Sequence, residues 1–234
     1  MQTPNALSSW ARVSALATVL FGSGFMARAA TITVSDDFSG TGVLDSNNWN
    51  QNTAYVQAGS GEAYNAASPG MAYYKNLNLG TSAFTVTADS RNELENTYAG
   101  VVFNVQDAFN YYVFRWRVQS EGSWDNNLQI LRITDGNIAD GFGVIVADLT
   151  VNTPYRTITI SGDGLGNFSV AMTNANPFTL TWTDTTYSGG SAGLYNGGLG
   201  TAWFDGFSAT YTVPEPASLA LLALGGFTLF YRRR

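Results

Sequence analysis

Between residues 30 and 212 apolar positions either alternate with polar ones or gather in short runs rich in β-branched and aromatic residues. Nowhere in that stretch do they recur with the 3.6-residue period of an amphipathic helix. The clearest runs are 83–90, 99–106, 110–119, 127–134, 143–149, 155–161, 167–173, 178–183 and 202–213. Turn chemistry separates them: the segment from Asp107 to Asn110, Asp135-Gly136-Asn137, and 162–167 with its three glycines. Short strands at this spacing predict an antiparallel sandwich or barrel, and the repeat of about 40–50 residues that a propeller needs is missing.

The run 110–119 shows how two faces are encoded. Tyr112, Phe114, Trp116 and Val118 fall on one face, assigned to the core, and Tyr111, Val113, Arg115 and Arg117 on the other. In 99–106 the same alternation groups Val101, Phe103 and Val105 against Val102, Asn104 and Gln106. A sheet face carrying Asn104, Gln106, Arg115 and Arg117 is more polar than packing requires.

The two ends read differently. Arg12 precedes a 15-residue apolar stretch over 13–27, and Ala27-Arg28-Ala29 fits a small-x-small cleavage pattern, so residues 1–29 are expected to be a helical secretory signal peptide. At the other end Val213-Pro214-Glu215-Pro216 leads into fifteen uncharged residues, 217–231, and then Arg232-Arg233-Arg234. As a helix this stretch would be about 23 Å long at 1.5 Å per residue, shorter than the ~30 Å hydrocarbon core, and bilayer adjustment lets it span. The arginines then stay cytoplasmic and the large domain outside. The order Pro214-Glu215-Pro216, apolar helix, Arg232 to Arg234 resembles the PEP-CTERM sorting signal of Gram-negative bacteria. That resemblance implies recognition of the tail by an exosortase, transient residence in the inner membrane, and delivery to the envelope or the medium. Signal peptidase is the partner implied at the other end. A plain single-pass anchor is the competing reading.

With Arg12, Arg28, the three terminal arginines and Glu215 set aside, the middle keeps six basic and sixteen acidic residues, a net of −10. So acidic a surface repels phosphate backbones and anionic headgroups, so no nucleic-acid partner is expected, while cations and neutral sugars fit it. There is no Cys and no His anywhere in the chain. That removes a disulfide framework, a thiol nucleophile, a Ser-His-Asp triad and a zinc site of the usual ligands.

The middle resembles a known architecture in the order of its motifs. It opens with Asp36-Asp37-Phe38-Ser39-Gly40 and Asn48-Trp49-Asn50. It continues with 99–107 and Asn110-Tyr111-Tyr112, and closes with Gly193-Leu194-Tyr195 and 202–206. This is similar to laminin-G-like, concanavalin A-like jelly rolls of exported bacterial proteins. The expectation is an all-β, two-sheet antiparallel jelly-roll sandwich over 30–212, between a signal peptide over 1–29 and a sorting tail with a single transmembrane helix over 213–234. The resemblance also implies a concave sheet face that often binds carbohydrate.

Three chemistries fit such a scaffold. Glycan cleavage would need paired carboxylates. Glu93 and Glu95, at i and i+2, share a face if that segment is a strand, although the laminarinase-like pattern expects a third acid and a central Asp, and Asn96 and Thr97 follow instead. A solvated hairpin loop is the other reading of that segment. A structural Ca2+ ion needs oxygen ligands alone. Asp36, Asp37 and Asp205 lie on strands that the resemblance makes neighbours. Sugar recognition would use aromatic faces and planar polar groups. Trp124, in the polar loop 120–127, is the main candidate, with Tyr73, Tyr74, Tyr111, Arg115, Arg117, Asn104 and Gln106 beside it. Trp49, Trp116, Trp182 and Trp203 sit in strand-like patterns and are expected in the core. The leading expectation is a non-catalytic exported jelly roll that meets exopolysaccharide. A glycoside hydrolase or lyase using Glu93 and Glu95, and a structural matrix protein, are the alternatives.

Overall fold

The computed structural model describes residues 29–119, 127–146, 149, 151, 154–173 and 178–213. The signal peptide's helix and Ala27, the tail with Pro214, Glu215, Pro216 and Arg232 to Arg234, and the loop with Trp124 all lie outside the described residues. Among the described residues no helix is long and apolar enough to cross a membrane. Residues 31–213 form one compact unit.

That unit is built of strands. The first six are short: β1 (Ala30–Asp36), β2 (Thr41–Val43), β3 (Trp49–Gln51), β4 (Val56–Ala58), β5 (Glu62–Asn65) and β6 (Gly70–Tyr74). Five longer strands follow, β7 (Phe84–Asn92), β8 (Thr97–Val105), β9 (Tyr111–Arg117), β10 (Asn127–Thr134) and β11 (Asn137–Ile145). The last are β12 (Arg156–Gly162), β13 (Asn167–Met172), β14 (Phe178–Thr183), β15 (Ser191–Gly198) and β16 (Ala202–Val213). They make two antiparallel sheets. One has nine strands in the order β14-β13-β12-β7-β16-β5-β4-β2, with β1 also pairing β16, and the other has seven in the order β11-β10-β9-β8-β15-β6-β3. The architecture is an all-β two-sheet sandwich.

Alternation builds the core between the sheets. β7 reads buried at every second residue from Phe84 to Asn92, and β12 does the same from Arg156 to Gly162. From the facing sheet Tyr112, Phe114 and Trp116 meet them, together with Val101 and Phe103. Aromatic rings dominate one end of this core. Tyr112 lies 5.4 Å from Phe103, and 5.2 Å from each of Phe168, Trp182 and Tyr187. Side-chain hydrogen bonds tie the sheets where polar groups enter: Trp116 Nε1 donates to Ser90 Oγ at 2.9 Å, and Asn92 Nδ2 donates to the Trp116 carbonyl at 3.2 Å.

Several strands depart from the expected pattern, each for a local reason. Val105 does not share the face of Val101 and Phe103. Asn104 adopts φ +46° in a bulge of β8, where Ser191 pairs with Val105 and Gly193 with Val102. The extra residue reverses the alternation, so Val105 joins Val102 on the outer face. β11 begins at Asn137 rather than at 143, because Asp135 and Gly136, at φ +50° and +76°, form a two-residue turn that folds the chain straight back onto β10. β15 escapes pattern reading because its sequence, Ser-Ala-Gly-Leu-Tyr-Asn-Gly-Gly, is buried on both faces. A Cβ on Gly193 would come within 1.9 Å of the Ala72 carbonyl oxygen, so the neighbouring strand admits only glycine there.

A buried ion pair closes the aromatic end of the sandwich. Asp184, 7% exposed, accepts hydrogen bonds from Tyr112 Oη at 2.8 Å, from the Thr186 amide at 2.7 Å and from the Arg132 guanidinium. Burial alone would raise its pKa, but the Thr186 and Tyr112 hydrogen bonds and the charge of Arg132 outweigh it, and the carboxyl sits below its ordinary range. A carboxyl depressed on folding contributes stability above its unfolded pKa of about 4, and that contribution is lost as pH falls through the folded value. Asp184→Asn is therefore expected to cost about 3 kcal/mol in urea melts at pH 7. The gap to the parent should narrow steadily below pH 4. A gap that stays constant to pH 2 would contradict this account.

Candidate functional site

The outer face of the seven-stranded sheet follows from the register. Arg115 pairs with Gln129 on one side and with Gly100 on the other, and Gly100 in turn pairs with Tyr195. One step along, Arg117 pairs with Tyr98. Because side chains at paired positions share a face, Tyr98, Tyr111, Arg115, Arg117, Gln129 and Tyr195 all project away from the core.

Beneath them lies a second apolar cluster, in which Val102, Val105, Tyr111, Val113, Leu131, Ile133, Met71 and Tyr195 are buried and Tyr73 and Tyr98 are half-buried. Arg115 spans it. Its Nε donates to Gln129 Oε1 at 2.7 Å, one Nη donates to Tyr195 Oη at 3.2 Å, and its guanidinium carbon stands 4.1 Å from the centre of the Tyr98 ring. Arg117 approaches the same ring at 5.0 Å. Stacking of this kind contributes about 0.5–2 kcal/mol, depending on desolvation. Gly100 makes the arrangement possible, since it places no side chain between Arg115 and Tyr195. The result is a half-buried platform of planar groups over an apolar floor.

Burial, reinforced by the neighbouring Tyr195 and only partly offset by the charge of Arg115, holds the Tyr111 phenol above its usual range, so it stays neutral at physiological pH. Asn104 and Gln106 are engaged elsewhere. Asn104 Nδ2 donates to the Tyr187 carbonyl at 3.0 Å, and Gln106 Nε2 donates to the carbonyls of Asn104, Ser188 and Gly189 at 3.0–3.4 Å. The Asn104 bulge turns both toward the 187–189 loop, so they staple that loop instead of joining Arg115. Tyr74 packs in the core, 5.3 Å from Trp49.

The candidate acids fall in other places. β7 ends at Asn92, and Glu93 and Glu95 sit in the β7–β8 hairpin loop, where Asn96 adopts φ +61°. The same-face argument for a strand therefore does not apply to them. Glu93 accepts a 3.4 Å hydrogen bond from Trp203 Nε1. Trp203 is half-buried on the outer face of the nine-stranded sheet rather than in the core. There it lies 4.6 Å from Tyr64 and 4.7 Å from the Arg91 guanidinium.

Asp36 bridges to the core, accepting from Trp49 Nε1 at 2.8 Å and from the Phe38 amide at 2.9 Å, and Asp37 accepts from the Ser39 amide at 3.1 Å. Asp205 stands between Asp89 and Glu62 in the ladder. Partial desolvation first, and then repulsion from these two, raises its pKa. Among the described residues no group of three or more His, Cys, Asp or Glu is arranged to hold a metal ion.

Comparison with known proteins gives two findings. Residues 212–234 match the PEP-CTERM protein-sorting motif. The fold matches solved β-sandwich structures. A CBM2 module of the evolved Dit of Lactobacillus casei BL23 phage J-1 is 9% identical over 79% of this chain and 97% of its own, with a TM-score of 0.59. A glycosyl hydrolase family protein from Mycobacterium fortuitum is 9% identical over 75% and 98%, at 0.52. The carbohydrate recognition domain of Emp47p is 15% identical over 80% and 97%, at 0.51. At such identities the likeness establishes the jelly-roll fold alone. No curated protein matches the chain.

The tight spacing under the platform gives a direct test of its geometry. A Cβ on Gly100 would lie 2.3 Å from the Phe114 carbonyl oxygen and 2.9 Å from the Arg115 Cβ. Gly100→Ala should therefore destabilise the protein by about 1–3 kcal/mol, as overpacking does elsewhere. Denaturant melts indistinguishable from the parent would show that β8 and β9 do not approach as described.

Proposed function

We propose that the chain is an exported protein whose C-terminal motif delivers it to the cell envelope or beyond, and whose β-sandwich is a non-catalytic module that contacts polysaccharide. The motif at 212–234 supports exosortase-dependent sorting. The jelly-roll likeness includes structures named for a carbohydrate-binding module, a glycosyl hydrolase and a carbohydrate recognition domain.

The observation that carries the binding reading is the platform of Tyr98, Arg115, Gln129 and Tyr195. Its aromatic faces and fixed planar donors are the groups that stack against and hydrogen-bond to sugar rings. The distribution of acids favours binding over cleavage. Hydrolysis of a glycoside needs two carboxylates about 5–10 Å apart across the bond. The strands of the seven-stranded sheet hold a single acidic residue, Asp140, which pairs in register with Arg132, whose partner on β9 is Tyr112 of the core. The platform face therefore lacks a carboxylate among the described residues.

The protein recovered from cells that export it should bind immobilised polysaccharides on a glycan array and release no new reducing ends from them. Hydrolysis that disappears in Glu93→Gln would replace this reading with that of an enzyme. Absence of binding to any glycan would leave a structural matrix protein.

Sorting is tested separately. Combined Pro214→Ala and Glu215→Ala substitution should leave full-length chain in the inner membrane while the domain is still exported. A mature mass equal to that of the parent would remove the exosortase step.

A further inference from the structure

The charge on the two outer faces is divided in a way that average composition does not explain. Sixteen acidic residues against six basic ones lie between the two end segments. On the outer face of the nine-stranded sheet, Glu62, Asp205 and Asp89 stand side by side on β5, β16 and β7. Among the described residues, the strands of the seven-stranded sheet turn no carboxylate to their outer face. From β6 to β11 its outward positions carry tyrosines, aliphatic residues, glycines, Asn127, Gln129 and the two arginines of β9. In so acidic a domain, this sheet face, without a carboxylate among the described residues, carries Arg115.

Arg115 is the sharper indicator. It forms no ion pair with any described residue, although Arg91 and Arg132 each do. Its two hydrogen-bond partners, Gln129 and Tyr195, are neutral, and its ring partner Tyr98 is neutral as well. A half-buried guanidinium held by these three side chains has a fixed orientation. Among the described residues it meets no anion. A planar guanidinium suits a planar carboxylate or a tetrahedral sulfate, each of which it can engage with two parallel N–H donors.

We propose that this face binds anionic polysaccharide, with Arg115, braced from below by the buried Tyr195, contacting a carboxylate or sulfate on the sugar and the half-buried Tyr98 offering aromatic surface beside it. This rests on the carbohydrate-binding reading above and adds the ligand's charge to it. The acidic remainder of the domain does not prevent such binding. Charges on the opposite sheet's outer face lie more than a sheet spacing of about 10 Å away, beyond the Debye length of about 8 Å at physiological ionic strength, whereas a contact pair at Arg115 lies well inside it.

The test uses the exported protein and four probes: polygalacturonate, fully methyl-esterified pectin, a sulfated galactan and the neutral glucan laminarin. Polygalacturonate, the sulfated galactan or both should bind at least tenfold more tightly than laminarin. Methyl esterification keeps the galacturonate ring and removes its charge, so polygalacturonate binding should fall at least tenfold in pectin, with no change made to the protein. The ratio of the two acidic ligands tells carboxylate from sulfate. Binding to the preferred acidic ligand should weaken as sodium chloride is raised from 0.05 to 0.5 M. Arg115→Gln should abolish the preference for the acidic ligand, and Arg115→Lys should retain part of it. Equal affinity for acidic and neutral glycans, unaffected by salt, overturns the anionic preference and leaves the carbohydrate reading standing. Failure to bind all four probes overturns both.

Discussion

A β-strand in a two-layer sandwich has to show every residue to one side or the other, and β9 sits near the middle of its sheet. Once Tyr112, Phe114 and Trp116 fill the core, Tyr111, Val113, Arg115 and Arg117 have no other direction to face. Much of the rest follows from that choice. The two arginines can be accommodated outside only if their neighbours flatten and carry planar groups, and the partners at matching register are Tyr98, Gly100, Gln129 and Asn127. Inside, Tyr112 arrives at the end of the core with a hydroxyl that needs partners. It donates to Asp184 and accepts from the Tyr187 amide at 2.8 Å. Asp184 then requires a cation, which Arg132 supplies. One strand's alternation thus fixes both the closed end of the sandwich and the composition of its outer platform.

The two outer faces are chemically unlike. The nine-stranded sheet turns out threonines and serines, such as Thr85, Thr87, Thr157, Thr159, Ser208 and Thr210, together with the acidic row. Hydroxyls and charges of that kind are what a solvated sheet face needs, and Thr is favoured there for its β propensity as well. Arg91 tempers the acids locally. It pairs with Glu62 at 3.4 Å and lies over the rings of Trp203 and Tyr155. Glu62, which Tyr155 and Ser60 also hydrogen-bond, consequently has its pKa lowered, and Asp205, without such partners, has its raised. The seven-stranded sheet has no matching solvated surface. Its outward side chains are mostly apolar and buried, such as Val102 and Val113, with Tyr98 and Arg115 half-buried beside them on the same face.

The parts of this arrangement that a reader of the sequence can find are those governed by period and by turn chemistry. The division of 110–119 into two faces follows from alternation alone, and β10 and β14 run over the expected residues. The bulge at Asn104 was beyond reach. Nothing in Phe-Asn-Val marks which residue will take positive φ, yet that residue moves Val105 across the sheet and turns Asn104 and Gln106 away from the arginines. The partners of Arg115 were equally hidden, because Tyr98 and Tyr195 lie 17 and 80 positions away and meet it only through strand pairing. Gly193 gave a weak local sign, a glycine inside an apolar run, which often marks close approach of backbone. Trp203 misled for a different reason: half-burial on a sheet face and burial in a core leave the same trace in a period-two pattern.

Stability and recognition use the same aromatic chemistry on the two sides of one sheet, with different consequences. Inside, rings meet other rings at about 5 Å and exclude water, so Tyr112 and Trp116 are fixed by packing and their polar atoms must find partners within the protein. Outside, Tyr98 meets a guanidinium, and the polar edge of the pair remains at the surface. With no Cys for a disulfide, a domain of this size relies on packing, hydrogen bonding and ion pairs such as that of Arg132 with Asp184. Arg115 adds stacking and hydrogen bonds to that stability but forms no ion pair with a described residue. Four neutral residues on three other strands nevertheless converge to hold Arg115 in one orientation: Tyr98 and Gly100 on β8, Gln129 on β10 and Tyr195 on β15. Pre-ordering a charge in this way lowers the entropy lost when an anion arrives. Under the anion-binding proposal, that benefit is realised on binding rather than in packing.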